Sequence, residues 1–316
     1  MAIIEGICPI IATPFTNTGE VDYDSFQNLL RVLVKGGCPG LTLFGIAGEY
    51  YKLNGEERSR MMRLFIDGCR TGRAASIVSI TDHATECAVQ QARRAEEAGA
   101  DCLMVLPPFF LKPSVADLCQ HVRLVAQAAG IPTMVQYAPE QTGVAVPPDV
   151  LAGLSREAEN IKYFKIECKP LGAYISALLA LRRKDAGVFI GNAGLQLPEA
   201  LDRGASGAMP GCSMFEIYLR IYKSYVEDRR AEAFRLHNSL LPLLNHIRQS
   251  VEMIIAFEKR ILKKRGIIQT DYCRMPAFVP DTIDCRLFEE YYAGITCYLA
   301  AGSLPGADQQ RAAAGH

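Results

Sequence analysis

No two of the 11 cysteines stand in a CxxC pair, and their scatter from Cys8 to Cys297 offers neither a zinc knuckle nor a disulfide framework. That pattern fits reduced, mostly buried thiols in a reducing compartment. Charge of one sign is also missing. The 34 Lys and Arg balance 34 Asp and Glu, and the pI is near 6.9. Nucleic acid and anionic membranes are therefore not expected partners, since both need clustered cations. A small anionic ligand stays compatible, because a single site can be positive on a neutral protein. No apolar run reaches the roughly 20 residues of a membrane span. The start, residues 1–11, has no basic region and no small-residue cleavage site, so no signal peptide is expected and the cytoplasm is the expected location. The five histidines, His83, His121, His237, His246 and His316, show no HxxxH or paired-acid spacing, so no metal site is expected.

What is present is a repeat. Short apolar segments recur at residues 7–13, 40–45, 75–80, 101–106, 132–137, 161–167, 187–191 and 206–209, each followed by a helical pattern. They are continuous rather than alternating, as in parallel strands covered on both faces. Amphipathic stretches lie between them at 22–35, 55–69, 85–98 and 114–129. Asn54 before Gly55-Glu56-Glu57 reads as a helix N-cap followed by acids. Gly36-Gly37, Gly99 and Gly130 fall where helices should stop. Eight strands alternating with helices predict an α/β protein, a (β/α)8 TIM barrel. A doubly wound open sheet is the alternative, but no GxGxxG follows the first strand. Residues 213–264 read as long helices without a strand, and 284–301 as one more. The expected organisation is a barrel over 1–225, a C-terminal helical extension over 226–301 packed on it, and a disordered polar tail over 302–316.

In a barrel the reactive residues sit at the C-terminal ends of strands. The sixth segment reads Ile161-Lys162-Tyr163-Phe164-Lys165-Ile166-Glu167. Strand side chains alternate, so Tyr163, Lys165 and Glu167 share one face while Phe164 and Ile166 share the other. The apolar face suits the helices, which turns Lys165 and Glu167 inward. The residues alone leave two readings open. Lys165 is either a strand lysine snorkelling to solvent, ion-paired with Glu167, or an amine made nucleophilic by burial. The neighbouring carboxylate opposes the second effect until an iminium has formed, after which it would stabilise the cation and could move a proton.

The chain resembles the dihydrodipicolinate synthase/N-acetylneuraminate lyase family over residues 3–300. The resemblance is carried by Pro9-Ile-Ile-Ala-Thr-Pro-Phe15, Gly45-Ile-Ala-Gly-Glu49, Pro107-Pro-Phe-Phe-Leu-Lys-Pro113, Gln136-Tyr-Ala-Pro-Glu-Gln-Thr-Gly143 and Phe164-Lys-Ile-Glu167, in order and at these spacings. It implies a lyase acting on pyruvate or another small 2-oxo acid, with Lys165 as the Schiff-base lysine. It also implies no metal or other cofactor, and a homotetramer built as a dimer of dimers. The departures are informative. The family's Gly-Thr-Thr-Gly-Glu turn is Gly45-Ile46-Ala47-Gly48-Glu49 here. Its strand-five tyrosine falls on Gln136, with Tyr137 adjacent, a second relay tyrosine on Phe110, and a carboxylate-binding arginine on Gln141.

A branch of the family resembling 2-keto-3-deoxy-L-arabonate dehydratase shares this pattern. Its likeness includes Met134-Val-Gln-Tyr-Ala-Pro139, Gly204-Ala-Ser-Gly-Ala-Met209, Leu240-Leu-Pro-Leu-Leu-Asn-His246 and Arg248-Gln-Ser250. In that branch the acid two residues beyond the lysine, here Glu167, takes the acid/base role. The resemblance thus implies dehydration of a 2-keto-3-deoxy sugar acid. A pyruvate-dependent aldolase or a dihydrodipicolinate synthase-like condensing enzyme is the alternative, and a barrel that binds a metabolite without turnover is the second. Lys165 and Glu167 are the expected catalytic residues. Gly45, Ile46, Ala47, Gln136, Tyr137, Gly191, Asn192 and Met209 are the expected substrate contacts, with backbone N–H groups at 45–48 holding a carboxylate. Glu49 is expected to be structural. His246 could face the site, a subunit contact or a neighbouring helix.

Overall fold

The computed structural model describes residues 3–299. Eight parallel strands run in the order β1-β8-β7-β6-β5-β4-β3-β2. They are β1 (Gly6–Ile7), β2 (Gly40–Leu43), β3 (Ala75–Ile80), β4 (Cys102–Val105), β5 (Thr133–Tyr137), β6 (Ile161–Ile166), β7 (Gly187–Ile190) and β8 (Gly207–Ala208). The two edges meet through the residues just past β1. Ile11 N–H donates to Thr42 O and Thr42 N–H to Pro9 O, both at 2.9 Å. Ile10 bridges both Thr42 and Gly211. The sheet thus wraps into a (β/α)8 barrel, and the open-sheet alternative is excluded.

The expected first strand, 7–13, is mostly not a ladder. The regular ladder covers Gly6–Ile7, bonds to the β8 side continue from Cys8 N–H to Ala208 O and from Ile10 N–H to Pro210 O, and Pro9 between them has no N–H to give. At the β1/β8 seam a Cβ on Gly207 would lie 1.8 Å from Gly6 O, so only glycine permits that approach.

Helices α1 (Tyr23–Lys35), α2 (Gly55–Gly72), α3 (Thr85–Glu97) and α4 (Val115–Gln127) follow β1 to β4. Helices α5 (Pro139–Thr142) and α6 (Pro148–Glu157) follow β5, and α7 (Leu171–Leu181) and α8 (Leu197–Asp202) follow β6 and β7. The Asn54 cap is a full capping box: Asn54 Oδ1 accepts from Glu57 N–H and Glu57 Oε2 from Asn54 N–H, each at 2.9 Å. After β8 come α9 (Phe215–Val226), α10 (Arg230–Ile247), α11 (Val251–Lys264) and α12 (Thr282–Ala293), with no strand among them. The tail expected to be disordered, 302–316, lies outside the described residues.

Two cores separate by strand parity. Cys8, Ile77, Cys102, Met104, Tyr163 and Phe189 fill the barrel interior. Val78, Val105, Val135, Phe164, Ile166 and Val188 belong to the layer between strands and helices. On β6 the parity is reset once. Ile161 pairs with Thr133 and Tyr163 with Met134, so Lys162 is an extra residue bulged out of register. From Tyr163 onward the alternation is regular, and Lys165 points inward at the mouth end of the strand.

Candidate active site

Lys165 is buried, and its amine lies 3.3 Å from Glu167 Oε1, with side-chain exposures of 4% and 13%. The Lys165 amine donates no hydrogen bond among the described residues, and Glu167 is its ion-pair partner. Glu167 is held from two more sides. Gln136, the register partner of Lys165 on β5, donates its Nε2 to Glu167 Oε2 at 2.5 Å. The backbone N–H of Asn192 reaches Oε1 at 3.3 Å. Gly191 makes room, since a Cβ there would sit 2.0 Å from Glu167 Oε1. The carboxylate is thereby fixed beside the amine, close enough to exchange a proton with an atom bonded to that nitrogen.

The two side chains open onto a cavity of about 240 Å³. Ile46, Ala47, Asn192 and Met209 line it, and no tyrosine does so among the described residues. Gly45, Gln136 and Gly191 stand behind the wall: Gly45 packs against Ile10, and the other two act on Glu167. Tyr137 corrects the expectation. The strand alternation that turns Gln136 inward turns Tyr137 outward, where it stacks on Tyr174 with ring centres 4.7 Å apart and accepts from Val146 N–H at 3.3 Å. It contributes nothing to the cavity.

The turn after β2 is a single 3-10 turn, Ile46–Gly48, closed by Gly48 N–H to Gly45 O and Glu49 N–H to Ile46 O. Neither bond uses the N–H groups of Ile46 and Ala47, which leaves two backbone donors for an anion at the cavity wall. Glu49, just behind, is fully buried and left-handed at φ 58°. It pairs with Lys259 of α11, and with Lys52 at 3.3 Å. Its partners are lysines, rather than the loop backbone that a structural role at this position was expected to use.

The sequence reading gave no role to the wall supplied by the end of α10 and the start of α11, where Arg248, Gln249, Ser250 and Ile254 face the cavity. Glu140 and Lys169, 2.7 Å apart, also line it. The signal was the polar run Arg248-Gln249-Ser250 between two apolar helices, with Ser250 capping α11 by accepting from Met253 N–H at 3.1 Å. His246 faces a helix: its Nε2 is 3.0 Å from Asp284 O, and its ring packs on Phe257. Among the described residues no cluster of three His, Cys, Asp or Glu is placed to hold a metal ion. No helix there is long and apolar enough to cross a membrane.

A parallel barrel with a lysine and a carboxylate at the floor of a small mouth cavity has the architecture of a Schiff-base lyase. The model of the dihydrodipicolinate synthetase family matches residues 3–284, and the chain belongs to that family. It is 30% identical over 285 residues to an L-2-keto-3-deoxyarabonate dehydratase from Azospirillum brasilense, covering 88% of this chain and 90% of the relative. It is 28% identical to a 4-hydroxy-tetrahydrodipicolinate synthase from Bacillus subtilis strain 168, covering 87% and 93%. Among solved structures, the dihydrodipicolinate synthase from Rhodopseudomonas palustris superposes with a TM-score of 0.86 at 25% identity, covering 92% of this chain and 97% of that one. The chain is accordingly a Schiff-base lyase of this family.

Proposed function

We propose that the protein dehydrates a 2-keto-3-deoxy sugar acid through a Schiff base on Lys165. The observation that carries this reading is that a carboxylate stands 3.3 Å from the Lys165 amine, while no tyrosine lines the cavity among the described residues. Lys165 Nζ adds to the C2 ketone, and the ketone oxygen leaves as water. The resulting iminium acidifies C3. Glu167 removes a C3 proton, and the electron pair becomes the enamine. The enamine pair then expels the C4 hydroxyl, which departs as water with the proton held on Glu167. Hydrolysis of the unsaturated iminium returns the free amine. Gln136 and the Asn192 N–H keep Glu167 in place while it moves that proton, and the N–H groups of Ile46 and Ala47 hold the C1 carboxylate. Cleavage of C3–C4 instead needs a base on the C4 hydroxyl, and the family's usual tyrosine for that task is Gln136 here.

The relative from Azospirillum brasilense supports the same reading. A homotetramer in the cytoplasm, without cofactor or metal, belongs to the same proposal. Phe110 and Leu111, 76% and 83% exposed on the loop after β4, offer apolar surface for assembly.

Incubation with 2-keto-3-deoxy-pentonates and -hexonates tests the reaction class. Loss of water without pyruvate is the expected result. Release of pyruvate and an aldehyde would make the protein an aldolase instead.

A further inference from the structure

The proposed reaction leaves two cations of the cavity wall unused, Lys169, which pairs with Glu140 at 2.7 Å, and Arg248. Arg248 ends α10, with its backbone N–H bonded to Leu244 O at 3.0 Å. Its Nη2 donates to Asn192 Oδ1 at 2.8 Å. Burial pushes its guanidinium down from the ordinary arginine value, while Glu140 and Glu167 work in the other direction. Asn192 is itself unusual. It and Ala193 both sit at φ 52°, two consecutive non-glycine residues in the left-handed region. Such strain persists only where surroundings hold it. Here Tyr218 donates its hydroxyl to Ala193 O at 2.7 Å, and Glu167 accepts from Asn192 N–H. With Oδ1 committed to Arg248, Asn192 Nδ2 is buried without a hydrogen-bond partner among the described residues. A buried donor of that kind is unfavourable until an oxygen satisfies it.

The direction of the substrate follows from the Schiff-base reading, on which this inference rests. C2 is bonded to Lys165, and the C1 carboxylate goes to the turn after β2, which stands across the barrel from β6. Asn192 follows β7, the neighbour of β6. The two ends of the substrate therefore meet different walls, and the wall left for the far end is the one with Asn192 and Arg248. We propose that Arg248, steadied by Asn192, binds an oxygen at the far end of the substrate, and so selects 2-oxo acids hydroxylated beyond C4 over those ending in hydrocarbon.

Two probes of equal chain length isolate that oxygen: 2-oxopentanoate and 5-hydroxy-2-oxopentanoate. Neither has a C4 hydroxyl, so neither can eliminate water, and calorimetry reads binding without turnover. The wild-type protein should bind the hydroxylated probe about tenfold more tightly, the worth of one well-placed hydrogen bond. Arg248→Met should reduce that preference to about twofold or less while leaving 2-oxopentanoate affinity unchanged, and Arg248→Lys should restore part of it. Unchanged 2-oxopentanoate binding also reports an intact fold. A preference that survives Arg248→Met overturns the proposal. So does equal weakening of both probes, which would mean that the arginine holds the C1 carboxylate or merely supports the wall. Borohydride trapping on the same samples separates the two readings. A preference lost in Arg248→Met with no adduct on Lys165 supports the arginine's role and refutes the Schiff base alone.

Discussion

Two sites among the described residues bury a lysine against a glutamate, Lys259 with Lys52 on Glu49 and Lys165 on Glu167, and they are built for opposite ends. Lys259 and Glu49, each 0% exposed, form the sealed pair. Lys259 also donates to Tyr272 O at 3.1 Å and lies 4.3 Å from the centre of the Phe15 ring. Its donors are occupied from several sides, as a buried charge requires. The Lys165 amine has Glu167 as its ion-pair partner, no side-chain hydrogen bond of its own among the described residues, and a cavity in front of it. The first pair fastens α11 to the turn after β2 and leaves nothing for a ligand. The second holds an amine that is under-partnered until something enters. The residue types do not differ between the two; the count of remaining partners and the access do.

The largest effect should come from removing the open amine. Lys165→Ala is expected to lose both adduct formation with pyruvate and all turnover, read by mass spectrometry and by a substrate assay. Turnover that persisted would erase the distinction between the two lysines. Next, Glu167→Gln should lower kcat by about 10²–10⁴, the usual worth of a positioned acid/base, while the Lys165 adduct still forms. Gly191→Ala should act in the same direction by displacing the carboxylate, on the order of 10² in kcat. Equal kcat in either variant would remove Glu167 from the chemistry.

On the sealed side, Lys259→Met should reduce stability in urea by up to about 3–5 kcal/mol, because the fully buried Glu49 carboxylate then loses Lys259 and keeps Lys52, at 3.3 Å, as its cation. Lys259→Met combined with Glu49→Gln should recover most of that loss. A single variant as stable as the parent would show that the pair is not a fastening.

The smallest effect sharpens the contrast with a third, exposed pair. Lys162 and Asp185, 36% and 53% exposed, lie 2.7 Å apart. Hydrogen bonds from Lys162 and Arg183 pull the Asp185 carboxyl down to about 2. Its folded-state value is depressed, so its contribution is present above the ordinary aspartate value and fades as pH falls toward 2. At pH 7, Lys162→Ala should change stability by less than about 1 kcal/mol, given solvent screening. That gap should close in acid unfolding experiments. A gap that widened on acidification would contradict the assigned sign.

Much of this was legible in the residues. The repeat of apolar segments marked all eight strands, because parallel strands covered on both faces must be apolar throughout. Alternation along 163–167 put Lys165 and Glu167 on one face, and the structure keeps them there. The same rule, applied on β5, decides between Gln136 and Tyr137 once the strand's inward face is known. The sequence could not supply that face without its neighbour. The bulge at Lys162 was invisible as well, since register is a property of two strands rather than one. Arg248 and Lys259 were out of reach for a deeper reason. They come from helices more than 50 residues beyond the side chains they meet, and helix packing on a barrel mouth leaves no local periodicity to read. The first strand is shorter than the 7–13 expected, and the break falls at Pro9, which lacks an N–H.

The central claim is that the two buried lysines differ in kind. Borohydride reduction of the protein with pyruvate, followed by peptide mass spectrometry, tests it most directly. The adduct should fall on the peptide carrying Lys165 and be absent from the peptide carrying Lys259. No adduct at all, or one on a different lysine, would contradict the account.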